Sequence, residues 1–370
     1  MSYYIGLMSG TSLDGIDAAL VDFSNNQPQL ITCYYQSFNT ELHTRLKNLC
    51  YQRTVNLPEL GSLDCELGTL FAQSITQLLI QADLSASRIT AIGSHGQTIF
   101  HSPHTAQPFS LQIGDPNRIS KQSGIPVVAD FRRADIAAGG QGAPLVPAFH
   151  QATFQSVNES RVIVNIGGIA NITVLPASTT AKVIGFDTGP GNTLLDVWTH
   201  KHNGLAYDED SRFGRAGELC NPLLEIMLAD EYFNQPTPKS TGQEYFSAQW
   251  INTILNNFGQ TIPATDVQTT LYELTARSIT DAIQSVAPHA QRILVCGGGV
   301  HNVLLMEKLG AHLAPCTVES TAALGSDPDW VEAMAFAWLA HCFIENVPSN
   351  LPSVTGADRP VVLGGYYLPG

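Results

Sequence analysis

Hydrophobic positions along the chain fall into two similar series of short apolar runs. Tyr3–Met8 and Ile16–Phe23 have the length of strands and flank the polar loop SGTSLDG, a pattern that predicts a β-hairpin. Gln29–Phe38 would add a third strand. The pattern recurs in RVIVNIGGIANITVL (Arg161–Leu175), where a glycine turn again joins two apolar runs. Two such hairpins predict two α/β halves of related pattern.

Helix and strand patterns follow each hairpin. In the first half, helical spacing over Leu63–Ala82 precedes apolar strands at Ile89–Ser94 and Gly124–Asp130. In the second half, ILVCGGGVHNVLLMEKL predicts a strand, a triple-glycine turn and a helix. The last helix, SDPDWVEAMAFAWLAHCF, is apolar nearly all round, so we expect it to be buried, with Asp327 as its cap and Pro328 in its first turn. The tail VVLGGYYL predicts a terminal strand or loop.

The length of 370 residues exceeds that of one ordinary core and predicts two domains. A glycine cluster at 139–142 marks a flexible crossing near the boundary. We place residues 1–133 with 350–370 in the first domain and residues 134–349 in the second. Two α/β domains that face one another leave a cleft, which is a favoured ligand site.

Composition narrows the class of partner. The formal charge is −14 with 18 Lys and Arg, which disfavours nucleic acid and anionic membrane surfaces. Seven scattered cysteines without a C-x-x-C pair argue against a disulfide framework or a structural zinc site. Neither a signal peptide nor a membrane-spanning apolar run is apparent, so we expect a soluble cytoplasmic protein.

The loop SGTSLDG carries more hydroxyl groups than a hairpin turn requires. Ser9, Thr11 and Ser12, with the N–H groups of the turn, could surround phosphate oxygens, and Asp14 or Asp17 could face a hydrated magnesium ion. An ordinary turn is the simpler alternative, because these residue types favour turns. A Walker A loop is excluded, since no Lys follows the glycines.

Two other glycine turns are candidate ligand sites. NIGGIANIT alone is a weak signal, because glycine in strands often marks only a bulge. CGGGVHN is stronger, since three glycines between a strand and a helix let a flat ligand approach the backbone. A dinucleotide fingerprint is the competing interpretation, but the G-x-G-x-x-G pattern is missing there.

Two carboxylates are candidates for catalysis. Asp187, in GFDTGPGN, follows a buried strand and precedes glycines, which suits a general base, although a local turn cap is the alternative. Glu332 shares an apolar stripe of the last helix, where it needs a partner; a carboxylate stabilised by the helix dipole is the alternative to a ligand contact.

Cationic and imidazole groups are less informative. The histidines lack metal-site spacing, and His95 at a strand end could line the cleft or serve only as a hydrogen-bonding residue. Arg132 or Arg133 could hold an anionic group of a substrate, although paired arginines more often face solvent.

Seven motifs in order resemble those of the anhydro-N-acetylmuramic acid kinases, over essentially the whole chain. They are GLMSGTSLDGID, SHGQT, DFRRADIAAGGQGAPLVP, VNIGGIANIT, GFDTGPGN, CGGGVHN and the helix EAMAFAWLA. The resemblance implies an α/β, two-domain actin/hexokinase-like ATPase fold with ATP in the interdomain cleft.

The resemblance also implies where ATP binds. The two hairpin turns become phosphate loops, CGGGVHN becomes the adenosine loop, and Asp14 becomes the candidate magnesium contact, through water. The implied ATP-binding residues are Ser9, Gly10, Thr11, Ser12, Leu13, Asp14, Gly15, Ile16, Asp17, Gly167, Gly168, Asn171, Gly297, Gly298, Gly299 and Asn302.

The implied reaction is the hydrolytic opening of the 1,6-anhydro ring of anhydro-N-acetylmuramic acid with phosphorylation of O6, which gives N-acetylmuramate 6-phosphate and ADP. Asp187 becomes the base on water, and Glu332 a sugar-site residue near that water. Gln97, Thr98 and either Arg132 or Arg133 become sugar contacts, with Arg facing the lactyl carboxylate. Mg²⁺, a homodimer, domain closure and a role in cytoplasmic murein recycling are also implied.

Three alternatives stay open. Another kinase of the superfamily would phosphorylate an ordinary sugar or acetate. A chaperone-like ATPase would need a peptide-binding domain, for which the chain has no evident room. A glycosidase with Asp187 and Glu332 as its carboxylate pair would act without ATP and leave the glycine loops unexplained.

Overall fold

The protein is described here by a computed structural model, which covers residues 2–10, 12–25, 27–52, 54–178 and 180–370. The chain divides into two compact units, residues 1–153 with 330–370 and residues 154–329. These boundaries lie about twenty residues from those placed at 133/134 and 349/350. The second boundary lies at 329/330 because the last long helix, residues 331–344, packs on the sheet of the first unit.

Each unit contains one sheet with helices around it. The strands are β1 (Tyr3–Ser9), β2 (Gly15–Asp22), β3 (Gln29–Ser37), β4 (Ile89–Ser102), β5 (Phe109–Ile113), β6 (Val127–Ala129), β7 (Arg161–Ile166), β8 (Ile169–Leu175), β9 (Ile184–Pro190), β10 (Arg292–Cys296), β11 (Thr317–Ser320) and β12 (Gly365–Tyr367). The helices are α1 (Thr40–Gln52), α2 (Leu57–Ala82), α3 (Pro116–Ser123), α4 (Phe131–Ala137), α5 (Val146–Phe154), α6 (Thr193–Asn203), α7 (Arg212–Arg215), α8 (Asn221–Leu228), α9 (Ala248–Phe258), α10 (Ala264–Val286), α11 (Val303–Leu313), α12 (Val331–Ile344) and α13 (Pro352–Thr355). Short 3₁₀ turns occur at Ala86–Arg88, Glu209–Ser211, Gly298–His301 and Thr321–Leu324.

The two sheets share one strand order. In the first unit the order is β3-β2-β1-β4-β6, and in the second it is β9-β8-β7-β10-β11. In both, the first three strands form an antiparallel meander and the next two run parallel to the first strand. The first sheet is extended by β5 on β4 and by β12 on β6. The shared order confirms the predicted α/β fold with two related halves.

Helix α12 packs closely on the first sheet. A Cβ at Gly6 in β1 would collide with the Ala333 carbonyl oxygen, and one at Gly93 in β4 with that of Phe336. Because both strands carry glycine where the helix crosses, helix and sheet backbones come into direct contact. β1 is buried along its whole length for this reason, since the helix covers one face and the apolar core the other.

Helix ends differ in detail from their sequence predictions. α2 begins at Leu57, earlier than predicted, because the Asn56 side chain accepts a hydrogen bond from Glu59 N and Pro58 occupies the first turn. The predicted start of α12 was wrong. Asp327 accepts from Asp329 N within a turn, the Pro328 carbonyl accepts from Gly297 N, and the helix begins only at Val331.

None of the seven cysteines is joined to another by a disulfide bond in the part of the chain that the structure describes. Within the described ranges, none of the helices combines the length and the apolar character needed to cross a membrane.

Candidate active site

The loop between β1 and β2 is braced from within by a buried glutamine. The Ser9 hydroxyl donates to Gln97 Oε1 at 2.7 Å and lies 2.8 Å from the Gly15 carbonyl oxygen. The Gln97 amide nitrogen lies 3.1 Å from the carbonyl oxygens of both Gly10 and Thr98. Gln97 is fully buried and its side chain holds the loop, while its contact with the sugar stays a prediction.

The rest of this loop combines core anchors with exposed polar groups. Leu13 takes a left-handed backbone (φ 57°) and is buried, and Ile16 is buried in the same core, so both side chains serve packing. Ser12 and Asp14 are exposed, and the Ser12 hydroxyl donates to Asp14 Oδ1 at 2.6 Å. Asp17 is half-buried on β2. Thr11, also predicted to bind phosphate, lies outside the described residues.

His95 connects this loop to Arg132. His95 Nδ1 lies 3.3 Å from the Ser9 carbonyl oxygen, and Nε2 lies 2.9 Å from Arg132 Nη2. Guanidinium can only donate, so Nε2 is the acceptor and the imidazole proton sits on Nδ1, where it is donated to Ser9. Burial, and then the Arg132 charge, lower the pKa of His95 to about 3, so the ring is neutral.

Arg132 also faces a carboxylate on α12. Burial lowers the pKa of Arg132 to about 10, while the charges of Glu332 and Asp135 act in the opposite direction. Glu332 is half-buried in the first turn of α12, and Phe336, one turn later, packs on the His95 ring at 4.8 Å between centroids. Imidazole, guanidinium and carboxylate therefore form one cluster in the first unit.

The adjacent arginine is placed differently. Arg133 is 56% exposed at its side chain and lies 3.4 Å from Asp130 in an ion pair. Of the two arginines, Arg132 is therefore the better candidate for holding a substrate anion. Thr98, the remaining predicted sugar contact of this unit, accepts from Gln112 Nε2 at 2.9 Å beside His95.

A buried aspartate fixes the backbone that holds Arg132. Asp135 accepts from Asn350 Nδ2 and Thr355 Oγ1, each at 2.7 Å, and from Gly142 N at 2.8 Å. The carbonyl of Gly142 in turn accepts from Arg132 Nη1 at 2.8 Å. The glycine-rich stretch predicted to be a flexible crossing is thus tied down at its end.

In the second unit, the turn between β7 and β8 lies on the start of α6. The carbonyls of Gly167 and Gly168 accept from the backbone N–H groups of Asn192 and Gly191, both at 2.9 Å. A Cβ at Gly168 would collide with the side chains of Gln243 and Thr193, so a larger residue there would displace them.

Asp187 lies on β9, the edge strand of the second sheet, opposite Asn171 of β8. Its Oδ2 accepts from Thr241 N at 3.1 Å, and its backbone carbonyl accepts from the Tyr232 hydroxyl at 2.6 Å. Burial raises the pKa of Asp187 from 3.8 to about 6, against the lowering effect of the Thr241 bond. A carboxylate of this pKa is mostly ionised at pH 7 and is more basic than an ordinary aspartate, as a general base requires.

In the triple-glycine turn, two glycines lie close to neighbouring residues and the third has free space beside it. A Cβ at Gly297 would collide with Asn165 Oδ1, and one at Gly299 with Ile166, whereas one at Gly298 would meet no atom within 4 Å. Asn302 caps α11 and also accepts from the Ser211 hydroxyl at 3.0 Å, so its side chain serves the structure of the turn.

Open glycines recur in all three candidate loops. A Cβ at Gly10 would have Ser12 Oγ as its nearest neighbour at 3.8 Å, and one at Gly167 the Ile169 carbonyl at 3.7 Å. Together with Gly298, each loop thus has a backbone position that a ligand can approach.

Acidic and imidazole groups do not form a preformed metal site in the part of the chain that the structure describes, since no group of three or more of them could hold an ion. The exposed Asp14 carboxylate fits a magnesium ion held mainly by phosphates and water, because Mg²⁺ prefers few protein oxygens when it is bound to a nucleotide.

Sequence reasoning missed the residues that support the candidate catalytic groups. Lys239, Thr241 and Tyr232 surround Asp187, and Asp135 supports Arg132. The signal for Asp135 was its place in the motif DFRRADIAAGGQGAP, while the signal for Lys239 was a lysine after the paired prolines of FNQPTPKS.

Comparison with known proteins agrees with the motifs. The family model described as anhydro-N-acetylmuramic acid kinase matches residues 2–369. Relatives with that name occur in Pasteurella multocida, with 50% identity over 99% of this chain and 96% of the relative, and in Saccharophagus degradans, with 49% identity over 100% and 99%. A third, from Shewanella oneidensis, is 49% identical over 99% and 98%. The chain therefore belongs to the anhydro-N-acetylmuramic acid kinase family and is an ATP-using kinase of a small-molecule substrate.

Proposed function

We propose that the enzyme opens the 1,6-anhydro ring of anhydro-N-acetylmuramic acid with water and transfers the γ-phosphoryl group of ATP to O6. The products are N-acetylmuramate 6-phosphate and ADP. The observation that carries this mechanism is the half-buried Asp187 carboxylate, whose pKa is raised by burial to about 6. A raised pKa within a motif shared with the family suits proton abstraction from water.

The bond changes balance as one coupled sequence. Water attacks the anomeric carbon and gives its proton to Asp187, while the bond between C1 and O6 breaks. O6 then forms a bond to the γ-phosphorus, and the oxygen that bridges the β- and γ-phosphates leaves with ADP. Positioning and electrostatic stabilisation carry most of such a phosphoryl transfer.

The remaining roles follow from the surroundings of each group. Arg132 holds the lactyl carboxylate through its guanidinium group. Contacts with His95 and the Gly142 carbonyl fix the position of that guanidinium, and the Glu332 charge partly balances its positive charge. Glu332 and Thr98 contact the sugar near the attacked carbon, while Gln97 supports the first phosphate loop.

ATP is bound by the two glycine hairpin loops and the triple-glycine turn, where Gly10, Gly167 and Gly298 leave the backbone open. Mg²⁺, when bound, neutralises the charge that develops on the phosphates, and Asp14 would hold it through water. By the family resemblance, the enzyme acts as a cytoplasmic homodimer in the recycling of cell-wall murein.

The test is an assay of the sugar, ATP and magnesium in water labelled with ¹⁸O, read by mass spectrometry. We expect a ring-opened sugar phosphate that carries one solvent oxygen and is formed only with ATP. Opening of the sugar without ATP would favour a glycosidase, and ATP left intact in the presence of the sugar would refute the kinase mechanism.

A further inference from the structure

The segment of residues 229–247, which joins α8 to α9, determines how the Asp187 carboxylate is held. It makes three contacts with that residue. The Lys239 carbonyl accepts from Asp187 N at 3.0 Å, Thr241 N donates to Oδ2 at 3.1 Å, and the Tyr232 hydroxyl donates to the Asp187 carbonyl at 2.6 Å. Any shift of this segment would therefore displace the carboxylate or remove the N–H that it accepts.

This segment is not packed on a solid core along its whole length. A cavity of about 400 Å³ lies beneath it, between β9 and α10. The segment lines that cavity with Phe233, Asn234, Gln235, Thr237 and Lys239. Tyr232, Phe233 and Phe246 of the segment pack on one another, and polar bonds add to this packing where the segment borders the cavity.

Lys239 supplies those bonds. Its ammonium donates to the carbonyl oxygens of Tyr232 and Phe233 at 2.8 and 3.0 Å, and lies 4.5 Å from the centre of the Tyr232 ring. These contacts join the two ends of the turn 232–239, whose ends are also the points where Tyr232 and Lys239 contact Asp187. The Lys239 side chain thus binds the backbone carbonyls at one end of the turn, while the Lys239 backbone carbonyl accepts the hydrogen bond from Asp187 N in β9.

We propose that Lys239 is a positioning residue for Asp187. Lys239 closes the 232–239 turn and thereby keeps the Thr241 N–H hydrogen-bonded to the Asp187 carboxylate. The proposal rests on the function proposed above, in which Asp187 is the general base. It goes beyond that function because it assigns a role to Lys239, which acts through the protein contacts that hold Asp187.

Loss of the Lys239 contacts with the Tyr232 and Phe233 carbonyls has a defined electrostatic consequence for Asp187. An N–H donated to a carboxylate favours its ionised form, so removal of the Thr241 bond raises the pKa of Asp187 further above its present value. Tyr232 carries the titratable side chain whose pKa responds to the Asp187 charge, whereas Lys239 contacts Asp187 through its backbone carbonyl. Burial and the Asp187 charge raise the pKa of Tyr232 and keep it neutral, and burial lowers the pKa of Lys239. The acidic limb of the rate profile therefore reports Asp187.

The experiment measures kcat and KM for the anhydro sugar between pH 5 and 8, with the full-length enzyme and Mg-ATP, in Lys239→Met, Lys239→Arg and Lys182→Met. Lys182 is exposed and serves as the matched control. In Lys239→Met we expect the acidic limb of kcat/KM to move up by about one pH unit, which lowers kcat/KM about fivefold at pH 6, with an unchanged Kd for ATP. Lys239→Arg retains donors for both carbonyls, so it should restore the limb to within about 0.3 pH units of the wild type.

Hydrogen exchange gives a second measurement that does not depend on turnover. Residues 237–243 should exchange faster in Lys239→Met than in the wild type, while β7 and β10 keep their protection. If Lys239→Met lacks a cooperative unfolding transition, the same measurements are made on Lys239→Gln, whose amide can reach one carbonyl.

The outcomes separate the two proposals. An acidic limb in Lys239→Met that coincides with that of the wild type, or equal exchange of residues 237–243, would overturn the role of Lys239. A wild-type activity that survives in Asp187→Asn would instead refute the general base, whatever the behaviour of the Lys239 variants.

Discussion

Arg132 donates to His95 through two guanidinium nitrogens, Nη2 at 2.9 Å and Nε at 3.2 Å from the imidazole Nε2. Burial, together with the cation beside the ring, lowers the pKa of His95 to about 3, below its ordinary value of 6.5. The unfolded chain therefore binds one proton more than the folded chain between these values, and the stability contributed by this difference is lost as the pH falls from 6.5 towards 3.

We expect His95→Gln to lack this contribution. Unfolding by urea at pH 7 should show the variant less stable than the wild type, because the link to Arg132 is weakened. At pH 4.5 the difference between the two proteins should be smaller by about 2 kcal/mol. A difference of equal size at both pH values would show that the ring is not held neutral.

Asp187→Asn should abolish turnover and raise stability at pH 7. Since burial raises the pKa of Asp187 to about 6, its ionised form destabilises the fold above that pH by roughly 1–3 kcal/mol. The gain should vanish below about pH 3, where the carboxyl is protonated in both states. The readouts are turnover, the Kd for ATP, which should be unchanged, and urea unfolding at both pH values.

Asp210→Asn, at an exposed carboxylate on the same unit, is the control for that experiment and should alter neither turnover nor stability appreciably. Near-normal turnover in Asp187→Asn would remove this residue from the role of base. A variant less stable than the wild type at pH 7 would show that the carboxylate is a structural partner instead.

Gly298→Val should weaken ATP binding with the fold retained. A Cβ at Gly298 meets no atom within 4 Å beyond its chain neighbours, so a valine side chain would extend into the space offered to a ligand. We expect the Kd for Mg-ATP, measured by titration calorimetry, to rise by tenfold or more, which corresponds to about 1.4 kcal/mol. Gly310→Val, on α11 and equally open, is the matched control and should bind ATP normally. Equal affinities in the two variants would contradict an adenosine site at this turn.

Arg132→Gln and Arg133→Gln should separate the two arginines that the sequence left open. Loss of a guanidinium–carboxylate pair costs about 2–3 kcal/mol, so Arg132→Gln should raise the KM for the anhydro sugar about 100-fold. Arg133 is exposed and pairs with Asp130, and its replacement should change KM less than about threefold. The reverse ranking, with the Kd for ATP and the unfolding midpoint unchanged, would move the anion site to Arg133.

The sequence by itself determined the two hairpins, the class of the fold and the family. These features depend on short-range patterns: alternating or continuous apolar runs, glycine at turns and long motifs read in order. The extended N-terminus of α2 is of the same kind, since the cap at Asn56 and the proline at 58 are local signals that a wider search of the sequence would have included.

The tertiary structure alone decided which side chains support the candidate site. Adjacent residues on a helix point about 100° apart, so Arg132 and Arg133 are distinguished only by their neighbours, His95 on one side and Asp130 on the other. The support that Gln97 gives to the first loop was not visible in the sequence, because its partners, Ser9 and Gly10, lie nearly ninety residues away. Such contacts join distant segments, and a linear pattern does not record which segments meet.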